Sequence, residues 1–388
     1  MTKTQKKSEI VHIVTGLQDG GAEGVLYRLI SSTTEENHTV ISLSSAGKYG
    51  SKLQALGVPI HTLNFNNKLS IFSGIYKLFS LLNQKNRNST IIQTWMYHAD
   101  FLGGLTAWLL GHRNIIWGIR RTVVEHGKKT TWVVARLCAL LSGFVPRIII
   151  SCSHSGKEHH QNFGYRGTFH VIQNGYSMEN LHPSESLKST TRHALNLDEE
   201  HQFIFGCVAS WKPVKDHRLL FAGVKHWSTQ NPQINFRLLL VGEGCDKGNH
   251  ALTESIKAYD LQKNVLPLGR QKDICSIMNA IDLHILTSKS EGFPNVIAEA
   301  MACGTPCVTT NVGEAAEIVG DTGWIVPPES EPCLAQALHE ATNAIMQSSA
   351  CCENISSRCR ARVESEFPLH KMVDAFKKVW RETLASAL

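Results

Sequence analysis

At 388 residues the chain exceeds what one compact core accommodates and fits two domains of roughly 150–200 residues each. Its 42 % hydrophobic and 19 % charged residues exclude a disordered chain. Charge is uneven: residues 1–185 hold 19 Lys+Arg and 10 Asp+Glu, and residues 186–388 hold 20 and 23, which gives the net +6. A basic half beside a mildly acidic one points to an anionic partner, lipid head groups or phosphates, unless the lysines simply fell unevenly.

From the N-terminus, a basic start precedes only a short apolar run, Ile10 to Val14, too short for a signal-peptide core. EIVHIVTG reads as a strand, and the glycines at 20–21 lead into a helix from Ala22 to Ser31. Strand HTVISLS, a helix before Gly57, strand PIHTLNF, a helix near 70–85 and strand STIIQTW follow, then strands NIIWGI and RIIISCS. The stretch Trp132 to Ile150, which runs into RIIISCS, is broken by Arg136, Pro146 and Arg147 and falls short of the ~18 apolar residues of a membrane span. In the second half FIFGCVAS, FRLLLVGEG, VLPLG, DLHILTS and PCVTT are strands with helices between them. This alternation predicts an α/β fold with parallel sheets covered by helices. The polar, turn-rich stretch between 180 and 200 reads as a linker, dividing the chain into 1–185, 186–366 and a final amphipathic segment at 367–388. The eleven scattered cysteines never form Cys-x-x-Cys, nor do Cys351, Cys352 and Cys359 have zinc spacing; reduced thiols in a cytosolic protein are expected.

No Gly-x-Gly-x-x-Gly follows the first strand, which disfavours a dinucleotide dehydrogenase; Gly242-Glu243-Gly244 has its third glycine, Gly248, one position late. The expected site is a cleft between two Rossmann-like halves. Gly20-Gly21 opens a helix and would face an anion with backbone N–H groups, or is a plain tight turn. His98, Arg120 and Arg121 fall just past strands, at the edge where ligands bind. His98 is read as a ligand contact or a structural hydrogen-bonding residue, the arginines as phosphate ligands or solvated side chains. Lys212 and Lys215 follow FIFGCVAS, where a lysine suits a diphosphate leaving group or is an exposed loop residue. In SEGFPNVIAEAMACGTPCV, the strand before it delivers Glu291, Gly292-Phe293-Pro294-Asn295 turns the chain with Pro294 at the first helical position, and Glu299 lies on the following helix. Two carboxylates there accept hydrogen bonds from sugar and ribose hydroxyls, although Glu near a helix start also merely suits the dipole.

The Glu291-x7-Glu299 block in this context resembles the signature of the retaining glycosyltransferases of family four, bacterial surface-polysaccharide type. The resemblance runs through almost the whole chain: GGAE at 20–23, HAD at 98–100, Asn174-Gly175, VxxxxPxKDH at 208–217, VGEG at 241–244, LGRQKDI at 268–274 and a closing helix. It implies a GT-B fold, two Rossmann-like domains facing across a cleft, with the C-terminal helix crossing back to the first domain. By resemblance, Glu299 binds the nucleotide ribose, and Glu291 with Gly292, Phe293, Pro294 and Asn295 binds the donor sugar. Lys215 neutralises the leaving diphosphate near Gly20 and Gly21, and His98 contacts the sugar. Gly242 and Glu243 belong to the donor site, and the Gly269-Arg270 turn borders the base. One departure stands out: Ser210 occupies the position where most members carry an arginine of the diphosphate clamp, which leaves Lys212 or a first-domain arginine to substitute.

The implied reaction is retaining transfer from a nucleotide-sugar, UDP-sugar favoured, without metal or cofactor; no Asp-x-Asp occurs. The implied acceptor is a lipid-diphosphate-linked glycan in capsule, O-antigen or exopolysaccharide assembly, with a soluble small acceptor as the alternative. Trp108, Trp132 and Lys128-Lys129 fit a protein peripheral at the inner face of the cytoplasmic membrane. Rival readings are a non-hydrolysing UDP-sugar epimerase and a non-catalytic nucleotide-sugar-binding module. A nucleic-acid partner is not expected, because the basic residues show no aromatic-interleaved stripe.

Overall fold

The apolar runs of the sequence become the strands of two parallel sheets, in a computed structural model that describes residues 8–18, 20–65, 68–124, 129–197 and 202–385. Lys128 lies outside them. The chain forms two units, Met1–Gly175 with Leu369–Leu388, and Tyr176–Pro368. The chain therefore crosses between them at 175/176 and 368/369. The polar stretch expected as a linker instead carries a helix, Glu185–Ala194, because Ser184 caps it by accepting from the Leu187 N–H at 3.2 Å.

The first unit holds β1 (Glu9–Val14), β2 (Asn37–Ser42), β3 (Ile60–Thr62), β4 (Thr90–Trp95), β5 (Ile115–Ile119), β6 (Ile148–Ser151) and β7 (Thr168–Val171), in the order β3-β2-β1-β4-β5-β6-β7. Its inner strands are buried on both faces, as parallel strands under helices must be. Side-chain alternation sends Val11, Ile13, Ile92 and Trp117 into one core, under the helices Lys68–Asn83, Leu105–Leu109 and Lys129–Leu141. Ile10, Val14, Ile91 and Trp95 enter the other, where Met372, Val373, Phe376, Val379 and Trp380 of the final helix, Leu369–Ala385, join them. The Trp380 indole N–H donates to Gln93 Oε1 at 2.6 Å, so this closing helix is an integral layer of the first unit. Trp108 and Trp132, expected at a surface, are partly buried against the first of these cores.

The second unit holds β8 (Phe203–Val208), β9 (Phe236–Val241), β10 (Val265–Gly269), β11 (Leu283–Leu286), β12 (Cys307–Thr310) and β13 (Trp324–Val326), in the order β10-β9-β8-β11-β12-β13. The sequence reading missed β7 and β13. TFHV and WIV are short edge strands, too brief for alternation to stand out.

Burial gives the fold a pH limit. Desolvation depresses the pKa of His12 well below the ordinary range, those of His160 and His217 to about 4 and that of His284 to about 3. A histidine neutral in the fold but titrating near 6.5 when unfolded stabilises fully above that pH and loses its contribution as pH falls, at about 1.4 kcal/mol per pH unit. Asp100, raised to about 7 by burial, acts in the opposite sense, but it is one group against four. The melting temperature is therefore expected to hold from pH 8 to 7 and to drop steeply between about 6.5 and 4; a flat profile down to pH 5 would refute this.

Candidate functional site

In the second sheet the strand order reverses between β8 and β11. Beyond the carboxyl ends of strands at such a point, neighbouring loops splay apart and leave room for a ligand. From β8 the chain runs through Ala209, Ser210 and Trp211 into a single 3₁₀ turn, Pro213–Lys215. From β11 it runs through Thr287 and Ser288 to Glu291. These two segments are stapled together. The Thr287 hydroxyl donates to the Lys215 and Asp216 carbonyls at 3.1 and 3.0 Å, and the Lys289 N–H donates to the Val214 carbonyl at 2.8 Å. Asp216 turns the chain at φ 45° and caps the helix His217–Gln230, its carboxylate accepting from the Leu219 N–H at 3.4 Å. As a result the Lys215 ammonium donates to Glu291 Oε1, which also accepts from the buried Ser288 hydroxyl at 2.5 Å. Thr310 donates at 2.6 Å to the Ser288 carbonyl and fixes that third member. Ser288 was not anticipated; its position in TSKSEG, next to the strand end, was the available signal.

The loop after Glu291 is anchored from below. Phe293 is buried edge-on to Phe367 at 5.5 Å. Pro294 is the extended N-cap, so the helix Asn295–Ala302 opens one residue later than expected and Glu299 falls on its second turn, partly exposed. The Tyr176 hydroxyl donates to Asn295 Oδ1 at 2.6 Å, and the Tyr176 N–H donates to the Phe367 carbonyl at 3.0 Å. The two residues beside the chain crossings therefore both brace this loop, an arrangement that sequence reading missed. Tyr176→Phe removes one hydrogen bond, keeps the ring, and is expected to lower kcat about tenfold with little change in melting temperature. Equal loss of stability with unchanged kcat would make Tyr176 merely structural.

At the end of β9, Gly242 has φ 150° and a Cβ there would strike the Ala209 carbonyl, while Gly244 has φ 74°. The Gly242 N–H donates to the Gly269 carbonyl at 2.9 Å. The exposed Glu243 carboxylate pairs with Arg270 at 2.8 Å and with Lys212 at 3.5 Å. Three predicted residues thus meet at one rim, with Lys212 tethered there. Among the described residues no group of three or more His, Cys, Asp or Glu could hold a metal ion.

The first sheet reverses between β1 and β4. Past β1, Gly20 is the N-cap of the helix Gly21–Ser31, and the Glu23 carboxylate of its first turn folds back against Gly20. Past β4, His98 sits half-buried in the turn Tyr97–Ala99, and burial lowers its pKa, leaving a neutral imidazole at neutral pH. Arg120 is not a solvated side chain but packs inside the first unit. Its guanidinium lies 4.6 Å over the Trp95 ring and 5.6 Å over that of Phe376, and it donates to Asn174 Oδ1 at 3.1 Å. Contacts with a helix far along the chain could not be read from NIIWGIRR. Arg121, its neighbour, is partly exposed.

Residues 202–343 match the family described as glycosyl transferases group 1. Among curated relatives, the capsular polysaccharide biosynthesis glycosyltransferase CapM of Staphylococcus aureus is 24 % identical over 379 residues, 93 % of this chain and 94 % of that protein. The UDP-Gal:alpha-D-GlcNAc-diphosphoundecaprenol alpha-1,3-galactosyltransferase of Escherichia coli is 28 % identical over 214 residues, 54 % of this chain and only 53 % of that enzyme. The solved structure of Anabaena Alr3699/HepE with UDP and glucose superposes with TM-score 0.82 at 21 % identity, covering 98 % of this chain and 100 % of that one; this likeness shows the GT-B fold.

Proposed function

We propose that this chain, whose residues 202–343 match the glycosyl transferases group 1, is a retaining, metal-independent hexosyltransferase acting on a nucleotide-sugar. The observation that carries the proposal is the Lys215–Glu291–Ser288 cluster beyond the strand-order reversal of the second sheet. Transfer with retention passes through an oxocarbenium-like transition state, and negative charge accumulates on the departing diphosphate. Lys215 supplies a compact positive charge for it, and Glu291 keeps the ammonium in position until the donor arrives. In the same reading Glu291 and the Gly292–Asn295 backbone hold sugar hydroxyls, Glu299 accepts from the ribose, and the Gly242–Glu243 turn with Arg270 borders the base. In the first unit, neutral His98 is a hydrogen-bonding partner for a sugar hydroxyl, the Gly20–Gly21 turn and Arg121 favour phosphate, and Lys212 replaces the arginine missing at Ser210. A UDP-sugar is favoured because the Anabaena structure holds UDP and the E. coli relative is named for UDP-Gal. The second of these names also supports a lipid-diphosphate-linked glycan as acceptor.

The test is proton NMR of the product formed in the presence of EDTA. An α-linked product from an α-linked UDP-sugar, at an undiminished rate, supports retention without metal. Inversion, or abolition by EDTA that added metal restores, rejects it.

A further inference from the structure

Two cysteines of the second unit face each other on packed helices. Cys275 lies in the first turn of the helix Ile274–Ala280, and Cys303 is the C-cap of the helix Asn295–Ala302, which carries Glu299. Their sulfurs stand 3.8 Å apart, with the Cys303 thiol directed at Cys275 Sγ. Both elements are held. The buried Asn279 amide, one turn along from Cys275, donates to the His182 carbonyl at 3.0 Å and to Cys275 Sγ at 3.5 Å. Its oxygen accepts from the Ser184 N–H at 2.6 Å. The Thr305 hydroxyl donates to the Met278 carbonyl at 2.7 Å and ties the turn after Cys303 to the helix of Cys275. A pair fixed in this way presents each sulfur to the other at a high effective concentration.

The two thiols differ in access. Cys275 is partly exposed, whereas Cys303 is 4 % exposed and burial raises its pKa. Cys275 is therefore the sulfur that an oxidant from solution meets first. With hydrogen peroxide, Cys275 attacks one oxygen and the O–O bond breaks; a sulfenic acid forms, and the other oxygen leaves as water with the thiol proton. Cys303 then attacks the Cys275 sulfur. The S–S bond forms, the S–O bond breaks, and the hydroxide leaves as water with the Cys303 proton. Two thiols are oxidised, one peroxide is reduced, and an added dithiol restores the pair by exchange. A disulfide needs its sulfurs about 2.0 Å apart, so bond formation draws Cys303 toward the helix Ile274–Ala280. The Cys303 N–H donates to the Ala300 and Glu299 carbonyls at 3.0 and 3.3 Å, so this pull falls on the helical turn that carries Glu299.

We propose that Cys275 and Cys303 form a peroxide-driven, reversible disulfide that displaces the last turn of the Glu299 helix. The experiment treats the reduced full chain with a small excess of hydrogen peroxide, maps its peptides without reduction, and follows hydrogen exchange. Expected are peptides joined through Cys275 and Cys303 with two hydrogens lost, their separation by dithiothreitol, and faster exchange over residues 300–304. Cys275→Ser is expected to abolish both effects, and Cys333→Ser, at an exposed cysteine on the helix Glu331–Met346, to change neither. UDP affinity is a separate arm that rests on the proposed role of Glu299. It is expected to fall about tenfold on oxidation, the worth of one hydrogen bond to a carboxylate. UDP binding that is absent in the reduced chain, or indifferent to the bond, counts against that role and not against the disulfide, which the peptide map decides. Oxidation that ends in sulfinic acid, in cross-linked chains or in other cysteine pairs overturns the proposal. So does a Cys275–Cys303 bond that leaves exchange over residues 300–304 unchanged.

Discussion

Lys215→Ala is expected to reduce turnover of the nucleotide-sugar by about 10³-fold while changing the donor KM far less. The reason lies in when the charge is needed. Before reaction the ammonium is already satisfied by Glu291, so exchanging that partner for a diphosphate gains little in the ground state. In the proposed transfer, charge grows on the diphosphate as the glycosidic bond breaks, and a fixed cation in a partly buried site interacts most strongly at that moment. Lys215→Arg keeps the charge but brings a planar fork to a position that ends a tight 3₁₀ turn, and is expected to recover only part of the rate. Steady-state kinetics on the three proteins decide the matter. A Lys215→Ala enzyme within tenfold of wild type would mean that Lys215 only supports Glu291.

Gly313→Ala is expected to lower kcat/KM about 100-fold although residue 313 carries no functional group. Gly313 has φ 56°, a conformation that costs an alanine about 1 kcal/mol. A Cβ there would also strike the Glu291 carbonyl and would stand 2.6 Å from the Gly292 carbonyl, so the loop carrying the carboxylate must yield. The neighbouring Glu314 N–H donates to that same Gly292 carbonyl at 3.1 Å, so the displacement cannot be absorbed silently. Kinetics alongside a thermal melt separate the effects: a melt lowered by a few degrees with unchanged kcat/KM would show that the loop tolerates the shift.

The parallel sheets were legible because buried strands read as continuous β-rich runs, and FRLLLV and IIWGI needed no partner to be recognised. The same local logic placed Lys215 and Glu291 at strand ends, and the structure brings them into contact. What stayed hidden depends on distant pairing. Tyr176 lies 119 positions from Asn295, and Arg120 is claimed by Phe376 of the closing helix. Neither contact leaves a periodic trace. The crossing between units was misplaced for a related reason. A polar, turn-rich stretch looks like a linker, yet Ser184 at its start caps a helix, and Arg192 of that helix reaches the Ala280 carbonyl at 2.8 Å and Asp282 at 2.7 Å.

The central claim is that the Lys215–Glu291 cluster transfers a sugar from a nucleotide donor. Nucleotide release from a panel of UDP- and GDP-sugars, with and without membrane lipid extract, tests it most directly when run beside Glu291→Gln. The account predicts release from one donor, dependent on the extract and lost in the variant. Release or alteration of donor without acceptor, or full activity in Glu291→Gln, would contradict it.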